Sequence, residues 1–376
     1  MGLAQGQPGP EIDCCRSIEF VDSAGQLVHG YYALVDVSRA ITRVAGFTEG
    51  CSGEFGFSSV NPITRPIYAS GIPPALVINA NYYTWPGGRD SNVYLHPCLR
   101  PRGWAVSNGQ ILVQPTEDDD GHYDSLAIYG TPKLGRYWEY IPKVSRNFNP
   151  AAAGVKEMIS GKAIVRDGVN IAGIEDRLQW GAKRFRKLAR TAIGAMPDGK
   201  RLVIVVIEGK QPGRSIGISL PGLAEFMQYQ FGVTDAINLD GGGSSQLLYQ
   251  ESPGYGLFSW TSDAYPEGSN YHSTRATPIM LTFDWAAGAR NTIQYSGLNL
   301  PGTGMPPSGT LCGKTISVQV SGSISFPIGS TARVELYSEQ ALVFVPGSAI
   351  LVPRNPGADG TFVVQTGIKP EIVYCK

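Results

Sequence analysis

The chain reads as a series of short apolar runs broken by glycine and proline. Ser17–Val21 and Tyr31–Val37 mix β-branched and aromatic residues and predict two early strands. Ala75–Asn79 is a short apolar run that ends in the polar cluster Asn79-Ala80-Asn81. Ile111–Gln114 and Leu126–Tyr129 predict further strands, separated by the acidic turn Glu117-Asp118-Asp119-Asp120-Gly121. Arg201–Ile207 is the strongest strand, a near-continuous apolar run of the kind buried on both faces. Leu220, Leu223, Phe226 and Met227 then recur at helical spacing, with Pro221 suited to the first turn and Gly232 to the C-terminal stop. Asp235–Asp240 predicts a short strand running into Gly241-Gly242-Gly243, and Gln246–Tyr249 and Pro278–Phe283 predict two more. The order strand, helix, strand across 201–240 predicts a βαβ-like unit inside a larger β-rich domain.

Further along, Pro301-Gly302-Thr303-Gly304-Met305-Pro306-Pro307-Ser308-Gly309 marks a linker. Beyond it, Ile316, Val318 and Val320, then Val334 and Leu336, alternate in β style, and no helical pattern is present. The expected class is α+β: a β-rich domain over residues 1–290 with a central mixed sheet and few helices. A linker over 291–310 and a small all-β domain over 311–376, with a binding or accessory role, complete the expectation.

Composition narrows the function. The 376 residues correspond to two or three domains at about 100–200 residues each. Basic and acidic side chains balance at 31 each, which argues against bulk-charge nucleic-acid binding and against a polybasic membrane binder. Hydrophobic residues at 42% suffice for a substantial core. The segment Met1–Pro10 has neither a basic nor an apolar region, so a protein without a cleavable signal peptide is expected, cytoplasmic or virion-associated. The longest apolar run, Leu202–Ile207, is too short to cross a bilayer. Cys14, Cys15, Cys51, Cys98, Cys312 and Cys375 form no CxxC pair, which argues against a zinc site. Reduced thiols are the expectation, with Cys312–Cys375 able to staple the C-terminal segment in an oxidising medium.

The sharpest chemical feature is Asn238-Leu239-Asp240-Gly241-Gly242-Gly243-Ser244-Ser245. A carboxylate ends a strand, and glycines after it let the backbone approach a ligand and offer N–H groups to an anion. Asp240 is then an acid, a base or a cation ligand; the structural alternative is a tight turn between two strands. Gly213-Arg214-Ser215-Ile216-Gly217 matches GxSxG, with Asp240 or Asp263 and then His272 following in esterase order, but Gln211-Pro212 before it does not read as a strand entering a nucleophile elbow. Lys183, Arg186, Lys187 and Arg190 would form a basic stripe if 180–190 were helical, best read as a solvated face. The acidic turn at 117–121 lacks the spaced ligands of a calcium loop. His29, His96, His122 and His272 show no metal-ligand spacing, and a Ca²⁺ or Mg²⁺ held by carboxylates near Asp240 stays open.

Several blocks together resemble the phosphodiester glycosidase family. They are Ile78-Asn79-Ala80-Asn81-Tyr82-Tyr83, Ser160-Gly161 with Val165-Arg166-Asp167-Gly168, Arg190-Thr191-Ala192-Ile193-Gly194, Leu202–Ile207 with Glu208-Gly209-Lys210, and the Asp240 block. The resemblance spans about residues 75–283. The family more often has Asp at Glu208, and Thr274-Arg275-Ala276-Thr277 matches its late arginine motif loosely. The resemblance implies a hydrolase that cleaves a glycosyl-1-phosphodiester at the sugar C1–O bond, releasing a sugar and a phosphate monoester. Its substrate would be a sugar phosphodiester or a phosphate-containing glycan. A phosphate leaving group reduces the need for a strong general acid. Arg190 and the Gly241, Gly242 and Gly243 amides suit the phosphate. Asp240 or Glu208 suits the base or the stabiliser of a cationic sugar. Asn79 and Asn238 suit sugar hydroxyls, with Asn81, Thr191, Ser244 and Arg275 completing the substrate-binding set. Two other readings remain: a glycan-binding or virion-surface module on the same fold, and a metal-dependent phosphodiesterase.

Overall fold

A computed structural model describes residues 11–22, 24–48, 50–58, 74–85, 98–174, 184–251, 254–257, 259, 262, 275–285 and the strands 290–296, 321–327, 332–336, 340–345, 348–353 and 360–364. In chain order the strands of the first part are β1 (Ile12–Val21), β2 (Leu27–Asp36), β3 (Ile41–Gly46), β4 (Phe57–Ser58), β5 (Leu76–Asn79), β6 (Tyr83–Thr84), β7 (Cys98–Pro101), β8 (Ala105–Ser107) and β9 (Gln110–Val113). There follow β10 (Asp124–Lys133), β11 (Arg136–Ile141), β12 (Val155–Arg166), β13 (Val169–Asn170), β14 (Arg190–Ala195), β15 (Arg201–Ile207), the helix α1 (Leu220–Phe231), β16 (Asp235–Asn238), β17 (Leu247–Glu251), β18 (Gly254–Leu257) and β19 (Ile279–Asp284). Strands dominate, and α1 is the one α-helix among the described residues, in keeping with the β-rich expectation.

The large sheet runs β1-β2-β15-β14-β16-β12-β10-β11, with β13 and the β8–β9 hairpin attached to β12. Each of its pairings is antiparallel, where a mixed sheet was expected. The reason is local. β14 and β15 form a hairpin, in which Asp198 accepts from the Lys200 and Arg201 N–H groups. β14 therefore occupies the place beside β15 before the chain reaches α1. β16 then pairs with the far side of β14, so the strands joined by α1 run parallel without touching.

β15 is buried from Leu202 through Ile207, as its unbroken apolar run predicts. Ser219 caps α1 by accepting from Gly222 N–H at 3.2 Å, and Gly232 ends it with φ of 64°. Leu220, Leu223, Ala224 and Met227 face a core that includes Val165, Ala192, Val203 and Val205. The helix thus covers one face of the sheet while the ends of its central strands stay available for a site.

A second sheet holds β17, β5, β19 and β3 in that order. β19 pairs with β5 as Met280↔Asn79, so Asn79 ends β5 in the middle of this sheet. The short strands β4, β7 and β6 form a third. The pairing of Ser58 with Cys98 brings distant segments together, and Cys51 and Cys98 are disulfide-bonded with Cα atoms 5.6 Å apart. Cys14 and Cys15 are also bonded to each other. Reduced thiols were expected because the N-terminal segment reads as no signal peptide; Cys312 and Cys375 lie outside the described residues.

The chain divides into two units, Met1–Arg65 with Leu76–Leu248 and Leu257–Asp284, and Pro66–Ala75 with Tyr249–Gly256 and Trp285–Lys376. The second contains the antiparallel pair β20 (Arg290–Ser296) and β21 (Ser321–Pro327). It also contains a sheet of β22 (Ala332–Leu336), β23 (Gln340–Val345), β24 (Ser348–Pro353) and β25 (Gly360–Val364), ordered β24-β23-β22-β25. Residues 291–296, placed in a linker by composition, are therefore strand. The conditional helix at 180–190 also fails in its described part. Leu188 bridges to Ile218, β14 opens at Arg190, and Lys187 bonds Asp22 and Gln26. Among the described residues no helix is long and apolar enough to cross a membrane.

Candidate active site

β14 begins at Arg190 and β16 ends at Asn238, with Ala192 opposite Asn238. Two residues on, the same antiparallel register brings Asp240 to Arg190. The main chain of Asp240 is fixed from the second sheet. Its N–H donates to Ala80 O at 3.1 Å, and its carbonyl accepts from Asn79 Nδ2 at 2.7 Å. Asn79 Oδ1 in turn accepts from Thr191 Oγ1 at 2.8 Å and from Gln246 N–H at 3.2 Å. Asn79 and Thr191, both buried, therefore hold the Asp240 loop to β14 with the polar atoms that were expected to meet the substrate.

The glycines make this closeness sterically open. A Cβ on Gly241 would fall 3.0 Å from Ala189 O and 3.8 Å from Arg190 Nη1. Gly242 takes φ of 64° and donates its N–H to Ala189 O at 2.9 Å, so of the three amides expected to hold phosphate this one is bound internally. On the other side, a Cβ on Gly161 would meet Asn238 O at 2.5 Å, which accounts for glycine where β12 crosses the end of β16.

Arg190 is buried, with Nε directed to Ile218 O at 3.4 Å and Nη2 to Arg186 O at 3.2 Å. Burial pulls its pKa down, while the nearby Tyr82 and Asp240 groups push it back up. Asp240 is half-buried and acts electrostatically on Arg190 and on a set of tyrosines that no sequence reasoning assigned. Tyr82 accepts a hydrogen bond from Asn238 Nδ2, and its hydroxyl is pushed well above the phenol range, first by burial and then by Asp240, against Arg190. Tyr83 shares a 3.2 Å hydrogen bond with Ser244 Oγ and is pushed up to about 12 by burial and Asp240, with Arg275 opposing. Tyr123 is likewise pushed up to about 12, by burial, then Asp119. Lys162 Nζ lies 4.2 Å from the Tyr123 ring centre and donates to His122 O. Tyr82 and Tyr83 sit inside a recognised block; Tyr123 lies in a stretch that carries no motif, and Lys162 only follows Gly161.

Other expected residues divide between this cluster and the scaffold. Arg275 reaches it through Tyr83 and is anchored by its carbonyl, which accepts from Gln246 Nε2 at 2.9 Å. Asn238, fully buried, also donates to Leu239 O at 2.7 Å. Asn81, also expected to bind substrate, donates from Nδ2 to Arg102 O and Trp104 O at 2.8 and 2.9 Å, and its Oδ1 accepts from Ser160 N–H, so in the free protein it ties strands together.

Glu208, the other carboxylate expected in the site, lies apart from Asp240. It follows Ile207, which pairs with Arg190 on the opposite side of β14 from Asp240. Its side chain is fully buried, with Oε2 accepting from His29 Nδ1 at 2.9 Å and Arg214 Nε at 2.6 Å, and Oε1 from Arg214 Nη2 at 3.1 Å. Such a forked pair fixes the carboxylate's orientation. Ser215, the GxSxG serine, is buried, donates to Glu208 O at 2.7 Å and accepts from His29 N–H at 3.1 Å. It closes a turn bridged Gln211↔Ser215 and is no nucleophile elbow. Asp263 and His272 lie outside the described residues. Among the described residues no three His, Cys, Asp or Glu side chains gather as a metal site.

The family model for phosphodiester glycosidase matches residues 74–283. Among solved structures, the chain is similar to the catalytic domain of zebrafish N-acetylglucosamine-1-phosphodiester alpha-N-acetylglucosaminidase, auto-inhibited by its pro-peptide. Identity is 18%, over 76% of this chain and 87% of that one, with a TM-score of 0.55. An exported protein of Burkholderia pseudomallei matches at 15% identity over 69% and 74% of the two chains, with a TM-score of 0.45. A hypothetical protein from Synechocystis matches at 14% over 72% and 61%, with a TM-score of 0.40. No curated protein matches the sequence. The zebrafish likeness supports the fold, and the matched span runs from just before β5 through β19, enclosing both walls of the Asp240 cluster; on that span the chain belongs to the phosphodiester glycosidase family.

Proposed function

We propose that this protein hydrolyses a glycosyl-1-phosphodiester by breaking the sugar C1–O bond. The observation that carries the reading is a half-buried carboxylate, Asp240, just past the end of β16, within electrostatic reach of the buried guanidinium of Arg190 beside a glycine-lined turn. Arginine keeps its charge even when buried, so the pair offers a permanent cation for phosphate beside a base for water. In the reaction the C1–O electron pair stays on the phosphate oxygen. Water attacks C1 and gives its proton to Asp240. Arg190 and the Gly241 and Gly243 amides balance the charge of the leaving phosphate. A phosphate ester leaves without prior protonation, which fits a site whose nearest unassigned groups are tyrosines held neutral by burial. We place the catalytic activity within residues 1–290 and an accessory role in 311–376.

A panel of sugar-1-phosphodiesters incubated in ¹⁸O-labelled water tests the reading. Label in the anomeric hydroxyl of the released sugar supports it. Label in the phosphate would make the protein a phosphodiesterase acting at phosphorus. Binding without turnover of any member would make it a glycan-binding module. Repeating the assay with EDTA decides whether a Ca²⁺ or Mg²⁺ beside Asp240 takes part.

A further inference from the structure

Tyr82 stands among the groups just described without a role in the reaction. It follows Asn81 out of the β5 loop and reaches the end of β16 from the second sheet, where Asn238 Nδ2 donates to its hydroxyl oxygen. The orientation of that amide is fixed by a second contact. Leu239 O can only accept, and the same Nδ2 donates to it at 2.7 Å. Asn238 therefore presents its nitrogen, not its oxygen, to Tyr82. With the phenol oxygen accepting from Asn238, the phenol's own O–H points away from that residue.

Two opposite charges lie within electrostatic reach of this hydroxyl, Arg190 from β14 and Asp240 from the end of β16. Tyr123, from the segment before β10, packs its ring 6.0 Å from that of Tyr82, and Lys162 of β12 covers Tyr123. Tyr82 keeps part of its surface open, so the side chain forms part of a wall that a substrate can reach. Partial burial pushes the phenol above its ordinary range, which keeps it in the neutral, donating form.

We propose that Tyr82 donates its O–H to the phosphate oxygen that departs from C1, acting as a hydrogen-bond donor that strengthens as the C1–O bond breaks. The assignment rests on the glycosidase reading above. Bond changes balance as before: the C1–O pair goes to the phosphate oxygen, water oxygen bonds C1, and its proton goes to Asp240. Tyr82 keeps its proton throughout. Transfer to phosphate would run uphill by about four pH units, from a phenol near 10 to a phosphate ester near 6. A fixed dipole aimed at developing charge needs no transfer, and removing one such donor lowers kcat by about 10²–10³-fold.

The test uses the full-length protein, with the wild type assayed first on the sugar-1-phosphodiester panel. Tyr82→Phe is expected to lower kcat about 100-fold with KM nearly unchanged. Because that change also removes the acceptor for Asn238, a second variant carries 3,5-difluorotyrosine at position 82, which keeps the shape and acidifies the phenol. It is expected to add an alkaline fall in kcat at a pH where the wild type is still fully active, as the ionised phenolate loses its donor. A pH profile superimposable on wild type, or a Tyr82→Phe enzyme within a factor of two of it, overturns the assignment and leaves the glycosidase reading standing. A wild type that cleaves no member of the panel overturns both.

Discussion

Asp240 and Glu208 flank the same strand. Each follows a buried strand that pairs with β14, and each is a carboxylate in a glycine-rich stretch. Their surroundings are opposite in kind. Glu208 has its side chain locked, both oxygens held by Arg214 and His29 and fully buried. Asp240 has its main chain locked, by Ala80 and Asn79, while its carboxylate stays half-buried among Arg190 and the tyrosines. A buried, fully bonded carboxylate resists any change of charge or position. A carboxylate carried on a fixed backbone is held at a defined place, which is what the proposed role of Asp240 requires.

The contrast is sharpest in activity. Asp240→Asn is expected to lower turnover by about 10²–10⁴-fold, with a melting temperature close to wild type, measured by steady-state assay and calorimetry. A folded variant that turns over within a few-fold of wild type would remove Asp240 from the reaction. Glu208→Gln is expected to do the reverse. It breaks a buried ion pair with Arg214, at a cost of about 3–5 kcal/mol in urea titrations, while the folded fraction keeps most of its kcat. Lost turnover at unchanged stability would exchange the two roles.

A smaller effect is expected from Gly161→Ala. The added Cβ meets Asn238 O at 2.5 Å and forces β12 and β16 apart, a misfit of about 1–3 kcal/mol. Because the strain falls on the Asp240 side, kcat should drop while the Glu208 pair stays intact. Equal loss of kcat from an overpacked core site remote from β16 would show that general softening is responsible. The mildest prediction concerns pH. Tyr83 and Tyr123 have folded pKa values raised to about 12, above the unfolded phenol near 10. Their contribution to stability is complete below pH 10 and lost as pH climbs from there through about 12, because the unfolded chain releases the protons first. Urea midpoints should fall across that window, and Tyr83→Phe should flatten part of the slope.

The periodicity of the chain was enough to locate β15, which is buried over the run Leu202–Ile207, and α1, whose cap Ser219 and stop Gly232 are local signals. It was also enough to mark Asp240, since an acidic residue between a strand and three glycines is a local pattern. It could not show that Asn79, Asn81 and Thr191 would turn their polar atoms inward, because their partners lie up to 167 residues away. The Cys51–Cys98 bond, 47 residues apart, was invisible for the same reason.

Local order therefore belongs to the sequence: which segments are strands, where the helix stops, and which carboxylate stands beside glycine. Pairing belongs to the tertiary structure. That β14 rather than β16 lies next to β15 follows from a hairpin closing before a longer crossover can. That Glu208 lies beside His29 and Arg214, and Asp240 beside Asn79 and Tyr82, follows from which loops arrive at each of them. A side chain's burial and charge environment are set by neighbours distant in the chain, and no window of sequence contains them.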